Sequence, residues 1–165
     1  MNQLGNYIHG NLTKGNSKDS LSVYDPSTGE EISKLINSNQ LDFNDAINSS
    51  KKILLEWSHT TPLKRSRIIS KYKEIIEKNI DALAKMISKE HGKTLDDAKG
   101  SITRGLEVVE FACGIPHLLK GEFSQNVGKN IDSWSVRQPL GISAGITPFN
   151  FPAMVPMWMF PIAIA

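Results

Sequence analysis

Gly145-Ile146-Thr147-Pro148-Phe149-Asn150-Phe151-Pro152-Ala153-Met154-Val155-Pro156-Met157-Trp158 is the stretch on which the reading of this chain turns. A short β-type run, Ile142 to Ile146, leads into a Thr-Pro turn that sets one amide side chain, Asn150, between two aromatic rings. Pro152 then stands where a helix is expected to begin, a position that suits proline because its missing N–H would lack a partner there anyway. An amide held by prolines on a strand-to-helix turn is placed to donate a hydrogen bond in a fixed direction. Asparagine also caps helix N-termini, where its side chain accepts from free N–H groups. The residues alone leave both roles open.

Downstream, the chain carries no charged residue from Pro139 to Ala165. The closing run Met157-Trp158-Met159-Phe160-Pro161-Ile162-Ala163-Ile164-Ala165 has no cap and no polar turn, which a soluble domain seldom exposes. A membrane tail is one reading, since the uncharged span exceeds the ~20 residues a crossing helix needs. Pro148, Pro152, Pro156, Pro161 and Asn150 within it, with no basic flank, favour a core segment of a larger protein instead. The expectation is therefore a fragment, with no membrane.

Upstream, residues 7–36 read as β structure. Tyr7-Ile8-His9-Gly10-Asn11 enters a turn, and Ser22-Val23-Tyr24 leads to the turn Asp25-Pro26-Ser27-Thr28-Gly29-Glu30. Glu31-Ile32-Ser33-Lys34-Leu35 returns with period-two alternation. Residues 41–120 read as helical. Phe43, Ala46, Ile47, Leu54 and Trp57 share a face of a first helix, and Ile68, Ile69, Tyr72, Ile75 and Ile76 mark a second, with Pro62 near its start. A third, through Leu83, Met86 and Ile87, stops at Gly92, and a fourth covers about Leu95 to Cys113 before Gly114 and Pro116. Ile131 to Gln138 alternates like a strand.

These motifs resemble the aldehyde dehydrogenase superfamily. The Asn150 segment is similar to its Pro-Trp-Asn-Phe-Pro loop, with Phe149 where most members carry Trp. That variant, followed by Pro-Ala-Met-Val-Pro-Met-Trp-Met-Phe-Pro, resembles the acylating methylmalonate-semialdehyde dehydrogenases within it. Asp25–Glu30 is similar to the family's Asn-Pro-Ala-Thr-Gly-Glu turn, and Glu90-His91-Gly92-Lys93 to a Glu-x-Gly-Lys junction between two helices. The resemblance spans essentially the whole chain and the first third of a family member.

What the resemblance implies is the N-terminal portion of an α/β fold: β-hairpin, four helices, a strand of an oligomerisation arm over about 122–140, and the start of the NAD-binding domain. Residues 1–165 would stop before most NAD contacts and before the catalytic domain. The implied partner is a second subunit, in a homo-oligomeric dimer or tetramer. The implied reaction is NAD-dependent oxidation of methylmalonate or malonate semialdehyde to propanoyl-CoA or acetyl-CoA, with coenzyme A as acyl acceptor and loss of carbon dioxide. Such enzymes serve valine, pyrimidine and inositol breakdown. By resemblance Asn150 donates to the oxyanion formed when a cysteine attacks the aldehyde, and Thr147 and Phe149 meet the nicotinamide and ribose end of NAD. The nucleophile lies beyond Ala165, so the fragment alone is expected to be inactive. A non-acylating semialdehyde dehydrogenase is the alternative within the family; a non-catalytic helical interaction or membrane-tail protein is the alternative outside it.

Arg104 aligns with Val108, Phe111 and Ile115 at helical spacing. A guanidinium on an apolar stripe calls for an anion or an escape to solvent. Glu107 could supply the anion within the chain. The segment Thr103–Ala112 resembles the helix from which methylmalonate-semialdehyde dehydrogenases offer an arginine to the substrate's carboxylate. Cys113 and His117 could be sketched as a nucleophile–base pair or half a metal site, but no further ligands cluster nearby, and the thiol reads as a small hydrophobe. No metal is expected. His9, His59 and His91 are scattered, and no Gly-x-Gly-x-x-Gly fingerprint occurs in Ile142–Gly145.

The composition is that of an ordinary soluble protein of 165 residues, 39% hydrophobic and 22% charged, with net charge +2. That balance argues against nucleic acid or an anionic membrane as partner. A single cysteine points to a reducing compartment, and Met1–Asn6 lacks the basic and apolar regions of a targeting peptide. The expected location is the cytoplasm.

Overall fold

In the computed structural model, which describes residues 2–165, the chain opens with β1 (Asn2–Leu4), β2 (Asn6–Ile8), β3 (Asn11–Thr13), β4 (Ser20–Tyr24) and β5 (Glu31–Ile36). Helices α1 (Gln40–His59), α2 (Pro62–Lys78), α3 (Ile80–His91), α4 (Leu95–Cys113) and the short α5 (Ile115–Leu118) follow. Then come β6 (Phe123–Gly128), β7 (Ile131–Trp134) and α6 (Met154–Ile164).

Turn chemistry places the early strands as expected. His9 and Gly10, at φ 52° and 74°, form a two-residue connection between β2 and β3, a backbone twist that matches paired strands. The Asp25 carboxylate accepts from Ser27 N–H at 2.8 Å, and Gly29, at φ 76°, donates back to the Asp25 carbonyl. Strand β4 thereby pairs antiparallel with β5, Ser20 opposite Ile36. Strand β1 adds in parallel to the other edge of β5, an unexpected element of only three residues. The period-two expectation for β5 fails: Ser33 and Ile36 are buried, while the adjacent Lys34 and Leu35 are both exposed.

Helix α4 is the centre of the core. Its buried positions, Ala98, Ser101, Ile102, Gly105, Leu106, Val109 and Ala112, recur at three and four residues, the spacing of one helix face. Ile69 of α2, Ile87 of α3 and Met157 of α6 close on that face. A Cβ at Gly105 would overlap the Met157 side chain, so the glycine is what lets α6 approach α4. The last carbonyls of α6 are met from outside: Trp57 Nε1 donates to Ile164 O at 2.7 Å and Arg65 Nε to Ala165 O at 2.5 Å.

Several faces turn differently from the expectation. Phe43, Ile68, Ile75 and Met86 are exposed, and Ile69, Tyr72, Ile76 and Ala84 carry the inward packing of α2 and α3. Apolar residues on both flanks of a stripe satisfy the period equally well, and only the neighbouring helix selects among them. The strand expected over Ile131–Gln138 ends at Trp134 and is one half of the β6–β7 hairpin. The run Ile142–Ile146 forms no strand, because its N–H and C=O groups have no adjacent strand to pair with among the described residues. Helix α6 starts at Met154, so Pro152 lies in the turn before it and not at the first helical position. No helix among the described residues is long and apolar enough to cross a membrane.

One buried carboxylate joins the two halves of this architecture. Asn39 caps α1 and receives the Asp42 side chain in return, the reciprocal arrangement that satisfies two free N–H groups. Asp42 also accepts from Asn16 backbone and side-chain N–H groups at 2.8 and 2.9 Å, tying the β3–β4 loop to the helix. The Asn39 N–H foremost, with those of Asn16 and Ser17, holds the carboxyl below the usual aspartate range against the opposing effect of burial. A folded-state value below the unfolded one contributes stability that is present above about pH 4 and lost as pH falls through the lower folded value. Asp42→Asn should therefore lower the denaturation midpoint at pH 7, with the gap to the parent closing under acid. A gap of constant size from pH 7 to 3 would show that the charge is not what holds the loop.

Candidate functional site

Residues 135–153 lie outside helices and strands, and they carry Thr147, Phe149 and Asn150 on an open surface. Leu140, Ile146 and Phe149 are 99%, 96% and 89% exposed. The Phe149–Asn150 step is a turn, and Asn150 is exposed. Its side chain makes no hydrogen bond among the described residues, and α6 has no side-chain cap. The capping role left open by the residues is therefore unfilled: α6 starts at Met154, with Ala153 and not Asn150 at its N-cap position.

The backbone of this turn is anchored from another element. Lys93, between α3 and α4, donates from Nζ to the Asn150 carbonyl at 3.1 Å and stands 4.3 Å from the centroid of the Phe151 ring. The Glu90–Lys93 junction is visible in the sequence, but its link to the loop is not, since a contact across 57 positions leaves no local pattern. Behind the loop, Ser50, Leu54 and Trp57 of α1, Gly145 and Thr147, and Met159 of α6 border a groove of about 790 Å³.

Arg104 sits on the exposed side of α4, in line with a half-buried Val108 and a Phe111 that is 58% exposed. The stripe is not buried as the spacing suggested; of the set, only Ile115 joins the core. Arg104 forms no ion pair among the described residues, with Glu107 or any other acid. Its backbone carbonyl accepts from Trp158 Nε1 at 3.3 Å, which links this turn of α4 to the helix that follows the Asn150 loop.

Cys113 is half-buried, and its thiol lies 3.4 Å from the Val109 carbonyl. Burial first, then the Glu110 charge, push its pKa up against the influence of Lys73. A thiol kept protonated is a poor nucleophile. His117 is exposed on α5, and no group of three or more metal-ligating side chains occurs among the described residues.

The sequence profile of the aldehyde dehydrogenase family matches residues 12–165. The chain belongs to the aldehyde dehydrogenase family. It is 48% identical to the malonate-semialdehyde dehydrogenase of Pseudomonas aeruginosa over 165 residues, covering 100% of this chain and 33% of that protein. It is 45% identical to the acylating, mitochondrial methylmalonate-semialdehyde dehydrogenase of Arabidopsis thaliana over 159 residues, covering 96% and 26%. Among solved structures, the methylmalonate-semialdehyde dehydrogenase of Oceanimonas doudoroffii superposes with a TM-score of 0.96 at 47% identity, covering 99% of this chain and 33% of its own. A protein of Sinorhizobium meliloti 1021, provisionally named methylmalonate-semialdehyde dehydrogenase and solved in complex with NAD, superposes at 0.97 with 48% identity and the same coverage. This aldehyde dehydrogenase chain thus spans a third or less of the length of these relatives. Its fold is the N-terminal portion of theirs.

Proposed function

We propose that this chain forms part of an NAD-dependent, coenzyme A-acylating dehydrogenase of methylmalonate and malonate semialdehyde. The observation that carries the reading is near-half identity, sustained over the full chain, to enzymes bearing those names. The free amide of Asn150 supplies the matching chemistry. It donates to the oxygen of the aldehyde as that oxygen gains negative charge, in a direction set by the turn that holds it. Arg104 takes the substrate's carboxylate, for which its guanidinium, unpaired among the described residues, offers a two-pronged donor.

The residues around Asn150 fit the nicotinamide end of NAD. Phe149 presents a nearly bare aromatic face and Thr147 an exposed hydroxyl, a stacking surface beside a hydrogen-bonding group. NAD supplies the hydride acceptor for aldehyde oxidation. In this reading the whole protein is a homo-oligomer, with residues 122–140 as an arm; the exposed Phe123, Val127, Ile131 and Trp134 of the β6–β7 hairpin support that use. The free thiol of Cys113, the one cysteine in this chain, suits a reducing compartment such as the cytoplasm.

Products decide between the acylating and the hydrolytic outcome. The whole protein, given methylmalonate semialdehyde, NAD and coenzyme A, should yield propanoyl-CoA, carbon dioxide and NADH in equal amounts by mass spectrometry and absorbance. A free acid formed while coenzyme A goes unused would replace the acylating reading with the hydrolytic one. No NADH with either semialdehyde would remove the dehydrogenase reading altogether.

A further inference from the structure

We infer that Lys93 is a positioning residue for Asn150: its ammonium clamps the turn from behind and fixes the direction in which the amide donates. The inference rests on the oxyanion reading of Asn150 given above. One cation makes two directional contacts with consecutive residues, a hydrogen bond to the Asn150 carbonyl at 3.1 Å and a seat over the Phe151 ring at 4.3 Å. A charged donor makes a stronger bond than a neutral one, and the ring face adds its own attraction to the same charge. Among the described residues it is the sole hydrogen bond from another element to residues 139–150; the next ones, from Val155 and Met157 of α6, go to the Phe151 and Ala153 carbonyls. With no strand pairing in the loop, the Asn150 carbonyl has no other hydrogen-bond donor among the described residues.

The base from which Lys93 projects is itself rigid. Gly92 ends α3 in a left-handed conformation, φ 82°, and donates to the Ser88 carbonyl at 2.8 Å. Thr94 caps α4, accepting from Asp97 N–H at 3.2 Å and donating to the Asp97 carboxylate at 3.0 Å. Lys93 therefore leaves a junction in which both neighbours are fixed by helix ends. Gly92 packs against the Asp25–Glu30 turn as well, where an added Cβ would come within 2.9 Å of Pro26. The clamp runs from this junction to the carbonyl behind Asn150, leaving the side-chain amide free to face a substrate.

The test uses Lys93→Met, Lys93→Gln and Lys93→Arg in the whole protein, alone and combined with Asn150→Ala, with acylation followed in a single turnover. Loss of positioning should slow acylation by Lys93→Met roughly 10- to 100-fold, the scale on which small misplacements act. NAD affinity should fall much less than the acylation rate, since in this reading the turn meets only the nicotinamide end of the cofactor. Lys93→Arg, which keeps a charged donor able to stack on Phe151, should restore most of the rate. Added to Asn150→Ala, Lys93→Met should slow the reaction little further, because it acts through the residue already removed. A wild-type rate in Lys93→Met, an arginine variant as slow as the methionine one, or losses that multiply in the double variant would overturn the assignment. Should Lys93→Met not fold, Lys93→Gln serves, with the same outcomes deciding. An unchanged rate in Asn150→Ala itself would remove the oxyanion reading and the clamp with it, whereas a slow Asn150→Ala beside a wild-type Lys93→Met would remove the clamp alone.

Discussion

Asn150→Ala should slow thioester formation in the whole protein by about two to three powers of ten while leaving NAD binding and the melting temperature nearly unchanged. The expectation combines two facts about one side chain. Its amide has no hydrogen-bond partner among the described residues, so its removal breaks nothing in the folded chain. A helix-capping asparagine would behave otherwise, with a loss of about 1 kcal/mol in stability on truncation to alanine. Rate and stability therefore respond in opposite ways under the two roles. Single-turnover acylation read beside a thermal melt separates them: a normal rate with a lowered melting temperature would return Asn150 to structural duty. The size of the rate effect follows from when the bond forms. Negative charge on the substrate oxygen peaks in the transition state, so a donor fixed beforehand contributes there and little to ground-state binding.

Arg104→Leu should raise KM for methylmalonate semialdehyde by about one to two powers of ten, the scale of a lost hydrogen-bonded charge contact. Activity toward propanal, which has no carboxylate, should hold or improve. Arg104 is exposed and unpaired among the described residues, so the substitution should alter stability by only about 0.5 kcal/mol. The position also distinguishes this arginine from its neighbours in kind: Lys73 and Lys99 already have acidic partners, Glu110 and Asp81, at 2.9 and 2.6 Å, whereas Arg104 has none. Equal losses on charged and uncharged aldehydes, together with a lower melting temperature, would mean that Arg104 is a structural ion-pair residue and that the carboxylate is bound elsewhere.

Local chemistry was legible in the amino-acid sequence wherever one or two residues decide a conformation. The His9-Gly10 connection, the Asp25–Glu30 turn, the end of α3 at Gly92 and the span of α4 all follow from residues whose backbone preferences or spacing are strong. The family was legible too, because the Asn150 loop keeps its residue types in order across the turn. Beyond that range, tertiary structure decided. Ile142–Ile146 has the composition of a strand, yet a strand exists only by pairing, and no partner strand lies beside it among the described residues. Pro152 is compatible with a helix start, yet α6 begins at Met154. Arg104 lies on an apolar stripe by spacing, and only the packing of α4 against α2, α3 and α6 shows that this stripe faces outward. The Lys93 clamp was beyond reach for the same reason. A periodic pattern records which residues share a face, but which face is covered, and what reaches across from a distant element, depends on the elements that pack against it.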